Sequence, residues 1–263
     1  MPETDLSLLQ EAARRSGDIA CRYFNRAPAV THKPEGAGPV TEADLAVNQM
    51  LAEVLRKARP DYGWLSEETE DGSERLDTRH QFIVDPIDGT RAFINGSKDW
   101  AHSLAVVESG SPVAAVVYLP MHDAMFHATR GGGAFLNDAP ISVSTAPAEG
   151  ATVLCAKPNF DPAFWKDGTP PPMNRAFRSS LAYRLCLVAE GRFDGMLTLR
   201  PSWEWDIAAG ALIVSEAGGI VTDQGGNPLH FNNPRPMVPG VLAGPRAIQA
   251  ALASQLEPAS SSA

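Results

Sequence analysis

A chain of 263 residues with 44% hydrophobic and 20% charged side chains can bury a large core, as one big domain or two interlocked lobes. A net charge of −9 argues against a nucleic-acid groove, which relies on clustered lysine and arginine, but it leaves room for a small phosphorylated ligand because a bound divalent cation reverses the local field. The cysteines Cys21, Cys155 and Cys186 are widely spaced without a Cys-x-x-Cys pattern, which suits buried thiols in a reducing compartment. The acidic start, Met1 to Asp5, has no apolar signal core, and no run reaches transmembrane length, so a soluble cytoplasmic protein is expected.

Asp5 is placed to cap a first helix, in which Leu6, Leu9, Ala13, Ala20 and Phe24 keep helical spacing. Residues 27–39 read as a loop or loose hairpin. Thr41-Glu42-Ala43-Asp44 opens a second helix, with Val47, Met50, Leu51, Val54 and Leu55 on one face, ending before Pro60. A short strand at 62–65 runs into Ser66-Glu67-Glu68, and the polar stretch 69–79 reads as a surface loop. After an apolar strand at 81–84, strands are expected at 103–107, 113–119, 124–128, 134–136 and 141–143, joined as an antiparallel meander. Gly131-Gly132-Gly133 lacks the following Lys-Ser/Thr of a P-loop and reads as a bend between two of them. From Ala151 strands and helices alternate: strands at 152–156, 193–199 and 240–243, helices at 180–190 and 205–217, with 247–256 closing the fold. The expected fold class is α/β, with an α+β lobe over 1–148, an α/β lobe over 149–258 and a disordered tail over 259–263.

The chemistry concentrates in Asp85-Pro86-Ile87-Asp88-Gly89-Thr90, directly after the apolar strand. Pro86 ends sheet pairing and stiffens the corner between two carboxylates. Gly89 and Thr90 offer backbone N–H groups at a helix start, a position suited to phosphate. Alone, the motif fits metal binding or a turn, although an Asp-Pro turn explains neither the second acid nor Gly89-Thr90. Glu67 and Glu68 begin an acidic run that a solvated loop also explains. Asp44 stands at capping-box spacing from Thr41, so helix capping accounts for it as well. Asp206, between large aromatics and small alanines, reads as an acid held inside a packed site. His122 and His127 lack paired metal spacing, and Ser179-Ser180 lacks a nucleophile-elbow pattern, which sets aside a Ser-His-Asp hydrolase.

Four ordered motifs taken together resemble the inositol monophosphatase superfamily of Mg2+-dependent phosphomonoesterases over nearly the whole chain. They are Lys33 with Val40-Thr41-Glu42-Ala43-Asp44; Leu65-Ser66-Glu67-Glu68; Val84-Asp85-Pro86-Ile87-Asp88-Gly89-Thr90; and Trp205-Asp206-Ile207-Ala208-Ala209-Gly210 with Glu216-Ala217-Gly218-Gly219. The resemblance implies a layered αβαβα sandwich. It implies a first Mg2+ held by Glu67, Asp85 and the Ile87 carbonyl, a second held by Asp85, Asp88 and Asp206, and a third more loosely held near Asp44. Thr90, with Glu67 or Asp44, would orient and deprotonate a water that attacks phosphorus directly, while Gly89 and Thr90 amides hold the phosphate. Lithium sensitivity and a homodimer are further family expectations; neither a membrane nor a nucleic-acid partner is expected.

The ester is less defined. Inositol-specific members usually carry a glutamate seven residues before the Trp-Asp aspartate, where this chain has Leu199 followed by Arg200. An apolar side chain cannot accept hydrogen bonds from sugar hydroxyls, whereas Arg200 either meets a second phosphate or is an ordinary surface arginine. Ser179, Ser180 and Leu181 complete the expected substrate wall. The motifs look most like those of bacterial 3'(2'),5'-bisphosphate nucleotidases, which convert 3'-phosphoadenosine 5'-phosphate to AMP; an inositol-1-monophosphatase or broad sugar phosphatase is the alternative. A non-catalytic role bound to RNA polymerase in antitermination, known for one branch of the superfamily, is the reading from another class.

Overall fold

The computed structural model describes residues 3–26, 28–32 and 38–257; Lys33 and the tail 259–263 lie outside them. Helix α1 (Asp5–Tyr23) is capped by Thr4, whose hydroxyl accepts from Ser7 N at 3.1 Å, and not by Asp5 as expected. Asp5 instead accepts from Arg59 at 2.8 Å and from Tyr62 Oη at 3.1 Å, tying the start of α1 to the chain leaving the second helix. Strands β1 (Val30–His32) and β2 (Pro39–Thr41) form the loose hairpin, and α2 (Glu42–Ala58) opens with a reciprocal Thr41–Asp44 capping box.

A seven-stranded sheet follows in the order β3 (Gly63–Ser66), β4 (His80–Asp88), β5 (Ala101–Glu108), β6 (Ser111–Leu119), β7 (Ala124–Thr129), β8 (Gly133–Leu136) and β9 (Ala139–Pro140), with α3 (Thr90–Ile94) between β4 and β5. β3 runs parallel to β4, and every later pairing is antiparallel, giving the expected meander. The strand expected at 141–143 does not form. The strand stops at Ala139–Pro140: Ile141 N still donates to the Ala134 carbonyl at 3.0 Å, but Val143 N turns away to the Ala217 carbonyl at 3.0 Å. The 69–79 segment is not a plain surface loop either: Ser73–Asp77 makes a 3-10 turn that buries Arg75. Cys21 is exposed, whereas Cys155 and Cys186 are buried.

The second sheet has five strands in the order β11–β10–β12–β16–β14, comprising β10 (Thr152–Leu154), β11 (Asn174–Ala176), β12 (Gly195–Thr198), β14 (Ile220–Thr222) and β16 (Val241–Gly244). β13 (Ser202–Trp203) and β15 (Met237–Val238) form a separate pair. Three helices complete the chain: α4 (Leu181–Ala189), α5 (Glu204–Glu216) and α6 (Arg246–Gln255).

The layers are α1 and α2 on one face of the large sheet, α4 and α5 between the two sheets, and α6 outside the small one. This is the αβαβα sandwich. Residues Ile207 to Val214 of α5 are all buried, as a helix covered on both sides requires. Gly210 allows α5 to lie against α4, since a Cβ there would come within 2.6 Å of Leu185 Cβ. Leu9, Leu51, Phe82 and Trp100 fill the outer core, and Ile83, Val117, Leu185 and Ile213 fill the middle one. Each such side chain contributes about 1.5–3 kcal/mol by leaving water.

Candidate active site

The site lies where β4 ends and the first turn of α5 reaches it. A shift in the β4–β5 register between Asp85 and Asp88 lifts the intervening residues out of regular pairing. Gly89 then takes φ 99°, a left-handed conformation suited to glycine, and α3 starts at Thr90. Asp85, Asp88 and Asp206 each offer a carboxylate oxygen, and these oxygens all lie within 4.8 Å of one another. Asp85 also accepts from Ile87 N at 2.9 Å, which folds the corner over its own carboxylate.

These acids are held against their preference to be apart. Burial, then Glu67, Asp88, Asp206 and Asp44, push the Asp85 carboxyl well above the ordinary range. Asp206 is raised well above it too, by burial first and then by Asp88 and Glu67, with Arg200 pulling the other way. Burial raises Asp88 to about 6 even though it accepts from Ser180 Oγ and Ala182 N, both at 2.6 Å. A buried cluster of mutually repelling oxygen donors fits a hard divalent cation, which neutralises the charge and uses the lone pairs.

Asp44 serves two ends with its two oxygens. Oδ2 accepts from Thr41 N at 2.9 Å and Thr41 Oγ1 at 2.5 Å, while Oδ1 lies 3.3 Å from Thr90 Oγ1. Thr90 Oγ1 also lies 3.2 Å from the Ile87 carbonyl, so its single proton has two acceptors and its lone pairs stay open. Burial raises Asp44 to about 6. Glu67 follows β3, and its backbone N–H donates to the Val84 carbonyl at 3.2 Å, which places it beside the corner.

The expected substrate residues divide. Ser180 sits at φ 64°, strained for a non-glycine residue, and its hydroxyl both donates to Asp88 and accepts from Tyr183 N at 3.0 Å. Leu181 is buried, and Ser179 is half-buried. Leu199 and Arg200 line a cavity of about 430 Å3 with Arg184.

Several site residues were not anticipated. Ser103, paired with Asp85 across β4 and β5, donates to the Trp205 carbonyl at 2.9 Å and joins the first sheet to α5. His102 is fully buried, with Nδ1 against the Pro86 carbonyl, and burial lowers it to about 4. Arg184 lowers Asp88 by its charge. None of these residues stands within reach of its partner along the chain, so local pattern carried no signal for them.

The description "Inositol monophosphatase family" matches residues 1–261. An inositol-1-monophosphatase of Mesorhizobium japonicum is 34% identical, with 94% of each chain covered, and the Nus factor SuhB of Escherichia coli K12 is 33% identical over 95% of this chain and 94% of its own. The structure of the extragenic suppressor protein suhB from Bartonella henselae superposes with TM-score 0.80 at 32% identity, covering 94% of this chain and 96% of that one. A Thermotoga maritima IMPase gives 0.78 at 29% identity, covering 95% and 94%. With its fold and buried acidic cluster, this chain belongs to the inositol monophosphatase family of metal-dependent phosphatases.

Proposed function

We propose that this chain is a Mg2+-dependent phosphomonoesterase that hydrolyses a small phosphorylated metabolite in the cytoplasm. The observation that carries the reading is the convergence of the Asp85, Asp88 and Asp206 carboxylates at one buried point. Glu67, Asp85 and the Ile87 carbonyl would hold one Mg2+, and Asp85, Asp88 and Asp206 a second; Asp44 would support a looser third. Bound Mg2+ supplies positive charge for the phosphoryl oxygens and lowers the pKa of water.

The protein's own groups do the positioning. Thr90 Oγ1, with its proton directed to Ile87 O or Asp44, can accept a hydrogen bond from the attacking water. Asp44, raised to about 6, is matched to take up a proton near neutral pH, with Glu67 as the alternative base. Gly89 and Thr90 amides would hold the phosphate, and Ser180 and Ala182 keep Asp88 in place. Ser179, Leu181, Leu199 and Arg200 would form the wall against the rest of the ester.

The first substrate in this reading is 3'-phosphoadenosine 5'-phosphate, because Leu199 cannot accept from sugar hydroxyls and Arg200 borders the site. Inositol 1-phosphate is the second, favoured by relatives named inositol-1-monophosphatase. Other relatives are named Nus factor SuhB, which keeps a non-catalytic partner role as the contrasting reading. One assay separates the three: Mg2+-dependent phosphate release compared by kcat/KM over 3'-phosphoadenosine 5'-phosphate, inositol 1-phosphate, fructose 1,6-bisphosphate and histidinol phosphate. A large advantage for inositol 1-phosphate would overturn the Leu199 argument, and no turnover on any ester would favour the partner role.

A further inference from the structure

The turn that carries Glu67 leaves β3 at the edge of the large sheet, with β4 on its inner side. An edge presents unpaired backbone groups on its outer side, so side chains must fix the chain that leaves it. Asn48, half-buried on α2, does this on both sides of Glu67. Before the glutamate, Asn48 Oδ1 accepts from Ser66 Oγ at 2.7 Å. After it, Asn48 Nδ2 donates to the Glu68 carbonyl at 3.1 Å and to Thr69 Oγ1 at 3.0 Å. Glu68 N closes the network by donating to Ser66 Oγ at 3.4 Å, and Trp64 Nε1 donates to Thr69 Oγ1 at 3.1 Å. Both amide protons of Asn48 and one lone pair of its oxygen are thus spent on this turn.

The place of this clamp ties it to the chemistry. Glu67 N donates to the Val84 carbonyl at 3.2 Å, one residue before Asp85. Beyond burial, the charge of Glu67 is among those that raise Asp85, Asp88, Asp206 and Asp44, so it acts on every other acid of the site. Asn48 follows Asp44 by one helical turn, so the edge of α2 that approaches Thr90 at 3.3 Å also meets the Glu67 turn. One helix thereby sets the spacing of two segments that enter the site separately. An amide suits the task. A carboxylate at 48 could accept from Ser66 but would face the Glu68 carbonyl, and an aliphatic side chain would serve neither side.

We infer that Asn48 is a positioning residue for Glu67, fixing from α2 where its carboxylate stands relative to the Asp85 to Thr90 corner. This rests on Glu67 being a metal ligand, as proposed above. Mg2+ demands near-octahedral geometry, whereas Ca2+ accepts longer and more variable ligand sets. A loosened Glu67 therefore costs Mg2+ more than Ca2+.

The test is calorimetric titration of the metal-free full chain with Mg2+ and with Ca2+. Loss of an outer partner of a ligand lowers metal affinity by about 10–100-fold, so Asn48→Ala should weaken Mg2+ binding by about 10-fold or more and Ca2+ binding by less. Adding Asn48→Ala to Glu67→Gln should cost no further Mg2+ affinity, because the group through which Asn48 acts is already lost. A purely structural role would shift urea unfolding but neither the Mg2+-to-Ca2+ ratio nor that cycle. Should Asn48→Ala fail to fold, Thr69→Val at an exposed position removes one acceptor of the same network. It should move the ratio in the same direction by a smaller factor, and Thr69→Ser should restore it.

Unchanged Mg2+ affinity in Asn48→Ala, beside weakened binding in Glu67→Gln, would overturn the inference and leave Glu67 as a ligand. An equal loss from Asn48→Ala with and without Glu67→Gln would overturn it as well. Unchanged Mg2+ binding in Glu67→Gln would instead sink the ligand assignment on which the inference rests.

Discussion

Asp44 Oδ1 and Thr90 Oγ1 approach to 3.3 Å across 46 residues of chain, while the other oxygen of Asp44 caps the helix that carries it. One side chain therefore joins a structural duty to a place in the site, and substitutions should separate the two. Thr90→Ala should lower kcat by about 10²-fold, the scale of a positioned acid–base group, with little change in unfolding midpoint. Asp44→Asn should lower kcat similarly and also weaken the cap, costing about 1 kcal/mol. Paired steady-state kinetics and urea unfolding check this; equal stability loss in both variants would contradict the division.

The acidic cluster makes the metal-free protein strained in a way that metal relieves. Mg2+ should raise the thermal midpoint at pH 7.5, and a chelator should lower it. Asp88→Asn should remove most of the Mg2+ response and reduce turnover by about 10³-fold, matching several kcal/mol of charge stabilisation, while the fold survives. Scanning calorimetry with and without Mg2+, beside phosphate-release assays, reads both effects. Near-normal Mg2+-dependent turnover in Asp88→Asn would remove Asp88 from the proposed ligand set.

Buried His102 should make the fold acid-sensitive in a defined window. Burial lowers its pKa from 6.5 to about 4, so the unfolded chain takes up a proton that the folded chain refuses. The stability contributed by neutral burial is present above about 6.5 and is lost as pH falls toward 4, on the order of 3 kcal/mol in all. Asp44 and Asp88, raised to about 6, act in the opposite direction over a similar range. The test is therefore the difference between the unmodified chain and His102→Asn at each pH, without metal. That difference should shrink from pH 7.5 to pH 4.5; a constant difference would show that His102 does not titrate as its burial demands.

A second buried acid fastens the two halves of the site. Glu204 accepts from Asn232 N at 2.7 Å, Asn233 N at 2.9 Å and Asn233 Nδ2 at 2.7 Å. Arg75 grips Asp71 through two nitrogens, at 2.6 and 2.7 Å, and donates to Asn232 Oδ1 at 2.7 Å. The strap runs from the chain after Glu67 to the start of α5, where Asp206 sits. Glu204→Gln places a donor against donors and should cost about 1–3 kcal/mol, measured by urea unfolding, together with a higher Mg2+ concentration for half-maximal activity. Loss of stability with an unchanged Mg2+ requirement would make the strap structural alone.

The 69–79 segment shows why some of this was illegible. Its acids and glycine read as solvated loop, yet Arg75 is drawn inward by carbonyls from residues 233 and 234, far along the chain. The missing strand at 141–143 has a similar origin, since the Ala217 carbonyl competes successfully for Val143 N. α5 was expected at 205–217, but its middle turns are buried on all sides, so it has no polar stripe to show which neighbours cover it.

Local sequence alone determined the α/β class, the antiparallel meander, the Thr41 capping box and the Asp85 to Thr90 corner, because each depends on residues within a few positions of one another. Tertiary structure alone decided that Asp206 meets Asp85 and Asp88, that Ser180 supports Asp88, and that Arg184 and Arg200 share one cavity with two phenylalanines. The physical reason is distance along the chain. Charges that repel, or lack partners, are brought together only when burial of the helices between two sheets outweighs the cost of crowding them.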